Sequence, residues 1–466
     1  MHLEVPVLLQ GRAKESPILM PEAPWLAQKI HSRSELHYGW WIVLATMALM
    51  FVSVGVGYYG LAIFMKQFED SFEWSSTLVG LATGSYFSIA GLTGLLVGPQ
   101  IDRHGPRWFM TGGVVMLGLG IMSLGAISTP WHLFIVYSIM AVGFGATAAV
   151  SVTNILGRWF LTRRARAMSI TATGVSLGGV VLSPLTTWLI SSHSLALAGL
   201  LLGVAILIVG LPVASGVLVW RPEDLLTSRD FGQPLKIDNK NLSDSVQHRV
   251  WTRSQAMRQQ SFWCILVAFL FVLTAQTGYM IHQFSFLANR LGDLRSASLT
   301  MSLAAAGSIV ARLIVGRFAD YIDKRLFTAV LFTVQATAVL SITFTKNIFL
   351  TWVLVFVIGL TIGNVYMMQT LLIAETFGVV SLATVQGAIT VAVQIAAGFG
   401  PFLVGWAKEF TGSYTVPFLV TSLMSYVAAI AVCFARPIVV NCLDGRRDPL
   451  QSNCSRTQEV ASRCSR

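Results

Sequence analysis

Apolar stretches of about 20 residues recur twelve times along this 466-residue chain. A bilayer's hydrocarbon core is about 30 Å thick, so a spanning α-helix needs roughly 20 apolar residues. With 54% hydrophobic and 11% charged residues, the composition argues against a soluble protein. The pattern predicts an all-α polytopic membrane protein with spans at Trp40–Met65, Leu78–Val97, Trp108–Ile127, Leu133–Leu156, Ala167–Ile190, Leu195–Val219, Phe262–Leu287, Ser296–Val315, Leu326–Phe344, Phe349–Leu371, Val379–Val404 and Val416–Phe434.

The longest break between apolar stretches divides the spans into two groups of six. This break, residues 220–261, is rich in charged residues, Asn, Gln and Ser. The first 39 residues contain no sustained apolar run, so no cleavable signal peptide is expected. The predicted organisation is an N-terminal tail (1–39), a six-helix bundle (40–219), a linker (220–261), a second six-helix bundle (262–434) and a C-terminal tail (435–466).

The formal net charge of +11 is unevenly distributed. If both chain ends lie on one side of the membrane, most Lys and Arg residues fall in the tails and loops of that side. An excess of Lys and Arg marks cytoplasmic loops. The charge therefore predicts cytoplasmic termini and does not indicate nucleic-acid binding. A plasma membrane or bacterial inner membrane is the expected location, and a fungal plasma membrane stays open.

Two loop sequences repeat at an offset of 218 residues. GPQIDRHGPR (98–107) and GRFADYIDKR (316–325) share a Gly, an Asp and an Arg at the same spacing. The offset aligns the second predicted helix with the eighth and the fifth with the eleventh. Two six-helix bundles related by an axis along the membrane normal form a transporter architecture, with the substrate site near the midplane between them.

The repeated loop resembles the signature of the major facilitator superfamily. YGWW (38–41), RWFLTRRARAMSITATGVSLGG (158–179), ARLIVGRFAD (311–320) and RPED (221–224) further resemble the monocarboxylate-transporter branch and its bacterial relatives. The resemblance covers about residues 38–437. It implies the major facilitator fold, with a substrate that the loop motifs do not identify.

Charged residues at the cytoplasmic helix ends are candidates for a gate. The resemblance places Asp102 near the start of the eleventh helix and Asp320 near the start of the fifth. The repeat aligns Arg158 with Glu375, which predicts the charge pairs Asp102–Arg158 and Arg317–Glu375. We expect these pairs to latch the two halves together on the inner side. The alternative is that these charges only set the topology.

Arg312 is the one Lys or Arg residue inside a predicted span. Burying a charged residue there costs about 2.5–3.5 kcal/mol on insertion scales, so it requires a partner. No acidic residue lies within a span. A guanidinium binds a carboxylate bidentately, which predicts that Arg312 binds an anionic substrate. The alternative is that Arg312 extends to the cytoplasmic interface, which lies about 12 Å away at the level of Asp320.

Further polar residues inside spans are candidates for the site. His282 is the predicted proton-coupling residue, because its ordinary pKa near 6.5 suits a proton carrier, with a structural role as the alternative. The resemblance complicates simple proton symport, since Ser308 and Tyr59 replace an aspartate and a lysine of that branch. His282 is also a predicted substrate-binding residue, together with Arg312, Tyr58, Tyr59, Asn154, Asn364 and Tyr366.

Two stretches place small residues and a proline within a helix, at Thr173–Pro184 and Ala396–Gly405. Small residues allow helices to approach closely, and a proline is tolerated where neighbours satisfy the carbonyl that it frees. Helix packing explains both stretches. A bending role in transport is implied only by the resemblance.

These features predict a secondary transporter that moves a small monocarboxylate or related organic anion by alternating access, with a proton co-transported. The alternative is an organic anion exchanger of the oxalate/formate type, and a membrane sensor without transport is a third reading. The chain lacks a P-loop and the common hydrolase motifs. The expectation is therefore a non-enzyme with no ATP, metal or other cofactor.

Overall fold

A computed structural model of the protein describes residues 24–435, apart from 34–36, 148, 161–162, 221–224, 226–250, 319–321 and 379–381. In these ranges the chain is almost entirely helical, and twelve helices are long and apolar enough to cross a membrane. The predicted fold class is confirmed, because the twelve helices form two packed bundles of six.

The N-bundle contains the first six helices. Its first helix includes a π-helical stretch at Gly55–Tyr59, and the sixth continues into another at Pro212–Val217. The bounds are α1 (Tyr38–Phe72), α2 (Ser76–His104), α3 (Pro106–Met122), α4 (Pro130–Thr147 and Ala149–Trp159), α5 (Arg164–Ser192) and α6 (Leu195–Leu211).

The C-bundle contains the other six helices. Two shorter helices lie outside both bundles: Trp25–Arg33, in the predicted N-terminal tail, packs against Pro212–Val217, and Arg253–Met257 lies in the predicted linker. The bounds are α7 (Gln260–Leu291), α8 (Leu294–Phe318), α9 (Lys324–Phe344), α10 (Ile348–Phe377), α11 (Leu382–Thr411) and α12 (Thr415–Cys433).

Several helices extend beyond their predicted ends. Lys66, Arg290 and Lys408, which the hydropathy pattern assigns to loops, lie within α1, α7 and α11. Helix hydrogen bonds continue past the apolar stretch until the backbone is capped. In α7 the cap is Gly292, which has a left-handed φ of 71° and donates its N–H to the Ala288 carbonyl. Capping therefore decides where these helices end.

With twelve spans, the start of α1 and the end of α12 lie on the same side of the helix array. We call this side the termini end and the opposite side the distal end. The bundles meet chiefly where α2 packs on α11 and α5 packs on α8. Near the distal end the α2–α11 backbones nearly touch, since a Cβ built on Gly84 would lie 2.1 Å from the Gly398 carbonyl oxygen. Only glycine fits this contact.

Pro184 within α5 and Pro401 within α11 each have a neighbour that compensates for the missing N–H. Pro184 frees the Val180 carbonyl, which accepts a hydrogen bond from Ser302 Oγ of α8 at 2.9 Å. Pro401 frees the Ala397 carbonyl, which accepts one from Thr277 Oγ1 of α7 at 2.6 Å. The predicted satisfaction of the freed carbonyls is confirmed.

We expect Thr277→Val to lower stability, because the buried Ala397 carbonyl would lose its interhelical donor. The expected loss is about 1 kcal/mol. Thermal unfolding in detergent should show the lower Tm. Thr173→Val is the matched control, since the hydroxyl of the half-buried Thr173 donates to the Ser169 carbonyl of its own helix. Equal Tm values for the two variants would contradict the assigned role.

Candidate functional site

Arg312 lies in α8, where the C-bundle meets α5 of the N-bundle. Its Nη1 donates to the Ala172 carbonyl at 2.7 Å and to Ser176 Oγ at 2.9 Å, and both residues belong to α5. Its Nε donates to the Gly363 carbonyl of α10 at 3.1 Å. The guanidinium therefore joins three helices and bridges the two bundles.

Local packing determines this position. The Ser308 hydroxyl, one turn before Arg312, contacts Ser176 Oγ at 2.6 Å, so two successive turns of α8 bond to α5. Helix α10 approaches equally closely, because a Cβ built on Gly363 would lie 2.6 Å from the Ser308 carbonyl oxygen. Small residues on α5 and α10 let both backbones reach the arginine.

The partners of Arg312 bear on both sequence-based interpretations of this residue. Its guanidinium turns toward α5 and α10 rather than extending along α8 to the termini end. All its hydrogen-bond partners among the described residues are uncharged. Nη2 bonds to none of them, so its two N–H groups keep their bonding capacity. A half-buried cation with neutral partners and an amino group that bonds to none of the described residues is suited to receive an anion.

Two adjacent tyrosines of α1 line the region next to Arg312. Tyr59 lies close enough to interact with Arg312 electrostatically, and its ring covers Gly179 of α5. Tyr58 contacts Phe87 of α2, with ring centroids 5.5 Å apart. Both tyrosines lie in or at the end of the π-helical stretch, and such stretches often occur at functional sites.

Helix α10 contributes two of the predicted site residues. Tyr366 is 48% exposed and lies close enough to Tyr58 for an electrostatic interaction. Asn364, which follows the Gly363 that binds Arg312, is buried. Its Oδ1 has no hydrogen-bond partner among the described residues. The structure thus brings Arg312, Tyr58, Tyr59, Asn364 and Tyr366 to one region of the bundle interface.

Two predicted residues have contacts elsewhere. Asn154 of α4 accepts a hydrogen bond from Arg158 Nε at 3.4 Å. His282 of α7 is fully buried within the C-bundle, where Nε2 contacts the Pro401 carbonyl at 2.9 Å and Nδ1 contacts the Tyr414 hydroxyl at 3.4 Å. These contacts match the structural alternative for His282, which links α7, α11 and the start of α12. They do not connect it to Arg312.

The predicted gate residues lie at the termini end. The side chains of Asp102 and Arg317, and all of Asp320, lie outside the described residues, so neither predicted pair is tested. Arg158 stacks on the Trp220 ring at 4.9 Å. Glu375 forms an ion pair with Lys324 Nζ at 3.5 Å, and this pair is within the C-bundle.

Asp323 lies in the second copy of the repeated loop and caps α9. Its carboxylate accepts hydrogen bonds from the backbone N–H groups of Leu326 and Arg325. These bonds lower the pKa of Asp323 below its ordinary value. The second copy of the loop therefore caps the start of α9.

Sequence reasoning missed the α5 and α10 partners of Arg312. Ser176 lies four residues before Val180 in the small-residue stretch, and Ser308 lies four before Arg312. The i, i+4 spacing of Ser308 and Arg312 indicates a shared face. No local sequence pattern predicts that this face contacts Ser176, because Ser176 and Ser308 are 132 positions apart.

Two six-helix bundles with polar groups collected at their interface are the architecture of a secondary transporter. The chain belongs to the Major Facilitator Superfamily, which it matches over residues 45–401 and, in an overlapping match, 284–447. The predicted membership is thereby confirmed, and the protein is a multi-pass membrane protein of a transporter family.

Curated relatives include monocarboxylate transporter 13 of Rattus norvegicus. It is 23% identical over 412 residues, covering 87% of this chain and 90% of the relative. A fujikurins efflux protein of Gibberella fujikuroi is 29% identical over 229 residues, covering 46% of this chain and 48% of that protein. The first match extends over nearly the whole membrane part, in agreement with the resemblance to the monocarboxylate-transporter branch.

A solved structure shares the fold. It is a bacterial homologue of the human lysosomal transporter Spinster, in an inward-facing and occupied conformation. The TM-score is 0.65 at 16% sequence identity, with 89% of this chain and 100% of the other covered. At this identity the match supports the fold alone.

Proposed function

We propose that this protein is a secondary active transporter that moves a small monocarboxylate or related organic anion by alternating access. Arg312 would hold the carboxylate. The observation that carries the proposal is a guanidinium at the interface of the two bundles whose described hydrogen-bond partners are all neutral. A cation placed there requires an anion, and the transported acid supplies it.

Binding of the acid would compete with the contacts that Arg312 makes in its absence. A bidentate carboxylate needs two guanidinium N–H groups on adjacent nitrogens, and only Nη2 is free among the described contacts. The carboxylate must therefore displace a bond made by Nη1 or Nε. If it displaces Nη1 from Ala172 or Ser176, α5 keeps its Ser176–Ser308 and Val180–Ser302 hydrogen bonds to α8 but loses a bond to Arg312. Substrate binding would then loosen the bundle interface, as alternating access requires.

The neighbouring side chains suit a small acid with an apolar body. Tyr58, Tyr59 and Tyr366 supply aromatic surface with hydroxyl groups, and Asn364 supplies an amide oxygen without a described partner. The name of the rat relative, a monocarboxylate transporter, supports this substrate class.

The orientation follows from the charge distribution. Under the positive-inside rule, the basic loops and tails place the termini end in the cytoplasm. The distal end then faces outward, across a plasma membrane or bacterial inner membrane. Asp102, Arg158, Asp320, Arg317 and Glu375 remain the proposed cytoplasmic gate.

Two forms of energy coupling compete. In the first, a proton accompanies the acid, either bound at His282 or carried with the substrate. In the second, one organic anion exchanges for another at Arg312. Exchange is favoured by one observation: among the described residues, no carboxylate or histidine contacts Arg312, so its charge is balanced only when an anion is bound.

Uptake into proteoliposomes tests the proposal. Radiolabelled pyruvate, lactate and benzoate would be offered under an inward proton gradient, and separately with unlabelled acid inside. Acceleration by the gradient supports symport, whereas strict dependence on internal acid supports exchange. Saturable binding without uptake under either condition would indicate a sensor. Neither binding nor uptake of any organic acid would overturn the proposed substrate class.

Ser176→Ala is expected to tighten substrate binding, because it removes one bond that the carboxylate must displace. One hydrogen bond of about 1 kcal/mol corresponds to about a fivefold lower Kd. Isothermal titration with the transported acid measures the change. A higher Kd in the variant would mean that Ser176 binds the substrate itself rather than competing with it.

A further inference from the structure

A polar cluster closes the distal end between the two bundles. Glu69 of α1 forms an ion pair with Lys408 of α11, with 3.4 Å between Oε1 and Nζ. Lys408 Nζ also donates to Ser76 Oγ at 2.6 Å, and the Ser76 hydroxyl donates to Glu69. Ser285 Oγ of α7 donates to Glu69 Oε2 at 3.3 Å. We call these four residues the distal cluster.

The distal cluster joins the bundles through the Glu69 carboxylate and through the Lys408–Ser76 hydrogen bond. Glu69 and Ser76 belong to the N-bundle, and Ser285 and Lys408 belong to the C-bundle. The side chain of Glu69 is only 11% exposed and that of Lys408 is 24% exposed. Such a partly buried network resists competition from water better than an isolated surface ion pair does.

All the groups that face Glu69 in the cluster are donors. An ionised carboxylate accepts hydrogen bonds at both oxygens, and here it receives two hydroxyl groups and an ammonium group. A protonated carboxyl loses the attraction to Lys408 and gains an O–H that needs an acceptor. The ammonium offers none, and Ser76 Oγ already accepts from Lys408. A serine hydroxyl of the cluster could accept that O–H only by giving up its own bond to Glu69, so protonation of Glu69 weakens the closed cluster.

We propose that Glu69 is a proton-binding site that controls the distal gate. Ionised Glu69 holds the distal end closed, and a proton arriving from the distal side releases Lys408 and Ser285 so that the bundles separate there. The inference rests on the alternating access of the proposed function, but it concerns gate opening and requires no substrate. It also supplies a site of proton action away from His282 and Arg312.

Other titratable groups lie near Glu69, and their contacts differ from those of Glu69. From the C-bundle, the Tyr414 ring lies 4.8 Å from Lys408 Nζ, and its hydroxyl contacts His282. Glu409 of α11 accepts from Thr77 across the same interface, but it is exposed. On α1 itself, Lys66 pairs with Asp70 at 2.5 Å, within the N-bundle.

The test measures opening of the distal end directly. Spin labels would be placed at Ser71 of α1 and Ser413 after α11, both exposed and on opposite bundles, with the five native cysteines replaced by serine. The protein would be in lipid nanodiscs without substrate, at equal pH on both sides. Pulsed EPR would report the separation of the labels from neutral to acidic pH.

Acidification should increase the long-distance population several-fold when Glu69 is native. Glu69→Gln should show a large long-distance population at every pH, with no further response to acid. Asp70→Asn is the matched control, because it neutralises the next carboxylate without touching the cluster, and its pH response should equal that of the unsubstituted chain.

Two results would overturn the assignment. In the first, Glu69→Gln stays closed or keeps a normal pH response. In the second, Glu409→Gln abolishes the response while Glu69→Gln does not. Because no substrate is present, either result leaves the role of Arg312 to be judged by binding and uptake. Conversely, if Arg312 does not bind acids, the pH dependence of the label separation would still test the role of Glu69.

Discussion

Arg312→Ala is expected to lower the affinity for the transported acid by at least about 100-fold. A charge-assisted hydrogen bond contributes about 1.5–3 kcal/mol, and the substitution removes the whole fork. Arg312→Lys is expected to restore binding only in part, because an ammonium keeps the charge but cannot form two parallel bonds to a carboxylate. Titration calorimetry and proteoliposome uptake measure both variants.

Arg290→Ala is the matched control for this prediction. Arg290 also donates to backbone carbonyls, those of Ile342 and Thr343, but all three residues belong to the C-bundle. Its loss should lower Tm and leave acid affinity unchanged. If Arg312→Ala binds and transports the acid normally, or if both variants lose affinity equally, Arg312 is not the anion site.

Gly84→Leu is expected to prevent closure of the distal end. A Cβ at this position would lie 2.1 Å from the Gly398 carbonyl oxygen, and backbone cannot yield as a flexible side chain does. Overpacking of this kind costs about 1–3 kcal/mol, enough to shift the balance of closed and open states by about fivefold to 100-fold. Uptake should fall sharply, because the distal gate no longer seals.

Gly112→Leu provides the comparison, because a Cβ at Gly112 of α3 meets nothing within 4 Å. It should fold and transport like the unsubstituted chain. The labels at Ser71 and Ser413 would report a long separation for Gly84→Leu at neutral pH. A short separation with normal uptake would show that the α2–α11 contact adjusts, and the proposed closure would fail.

Much of the fold was predictable because the bilayer imposes a local rule. Each apolar stretch must be long enough to span and must satisfy its own backbone hydrogen bonds, which only a helix does within one segment. The predicted first span, Trp40–Met65, lies within the observed Tyr38–Phe72. Hydropathy locates the span, but the cap that ends the helix depends on single residues such as Gly292.

Within the candidate site, only Arg312 was clearly predictable, because a charged residue is an exception in an apolar membrane-spanning segment. Arg312 is conspicuous because a cation in an apolar helix needs a partner, whatever the fold. Ser176, Ala172 and Gly363 are ordinary residues in their own helices. Their role as partners of Arg312 is evident only in the tertiary structure, where α5 and α10 pack against α8.

The distal cluster was likewise not predictable from the sequence, although two of its residues are charged. Glu69 and Lys408 each occur near a helix end, where charged residues are common, and they are 339 positions apart. Hydrophobic patterning alone determined the helices, their number and the isolated cation, because each depends on neighbours in the chain. Tertiary structure decided which polar groups meet across the bundle interface, because those contacts join residues that only the packing of separate helices brings together.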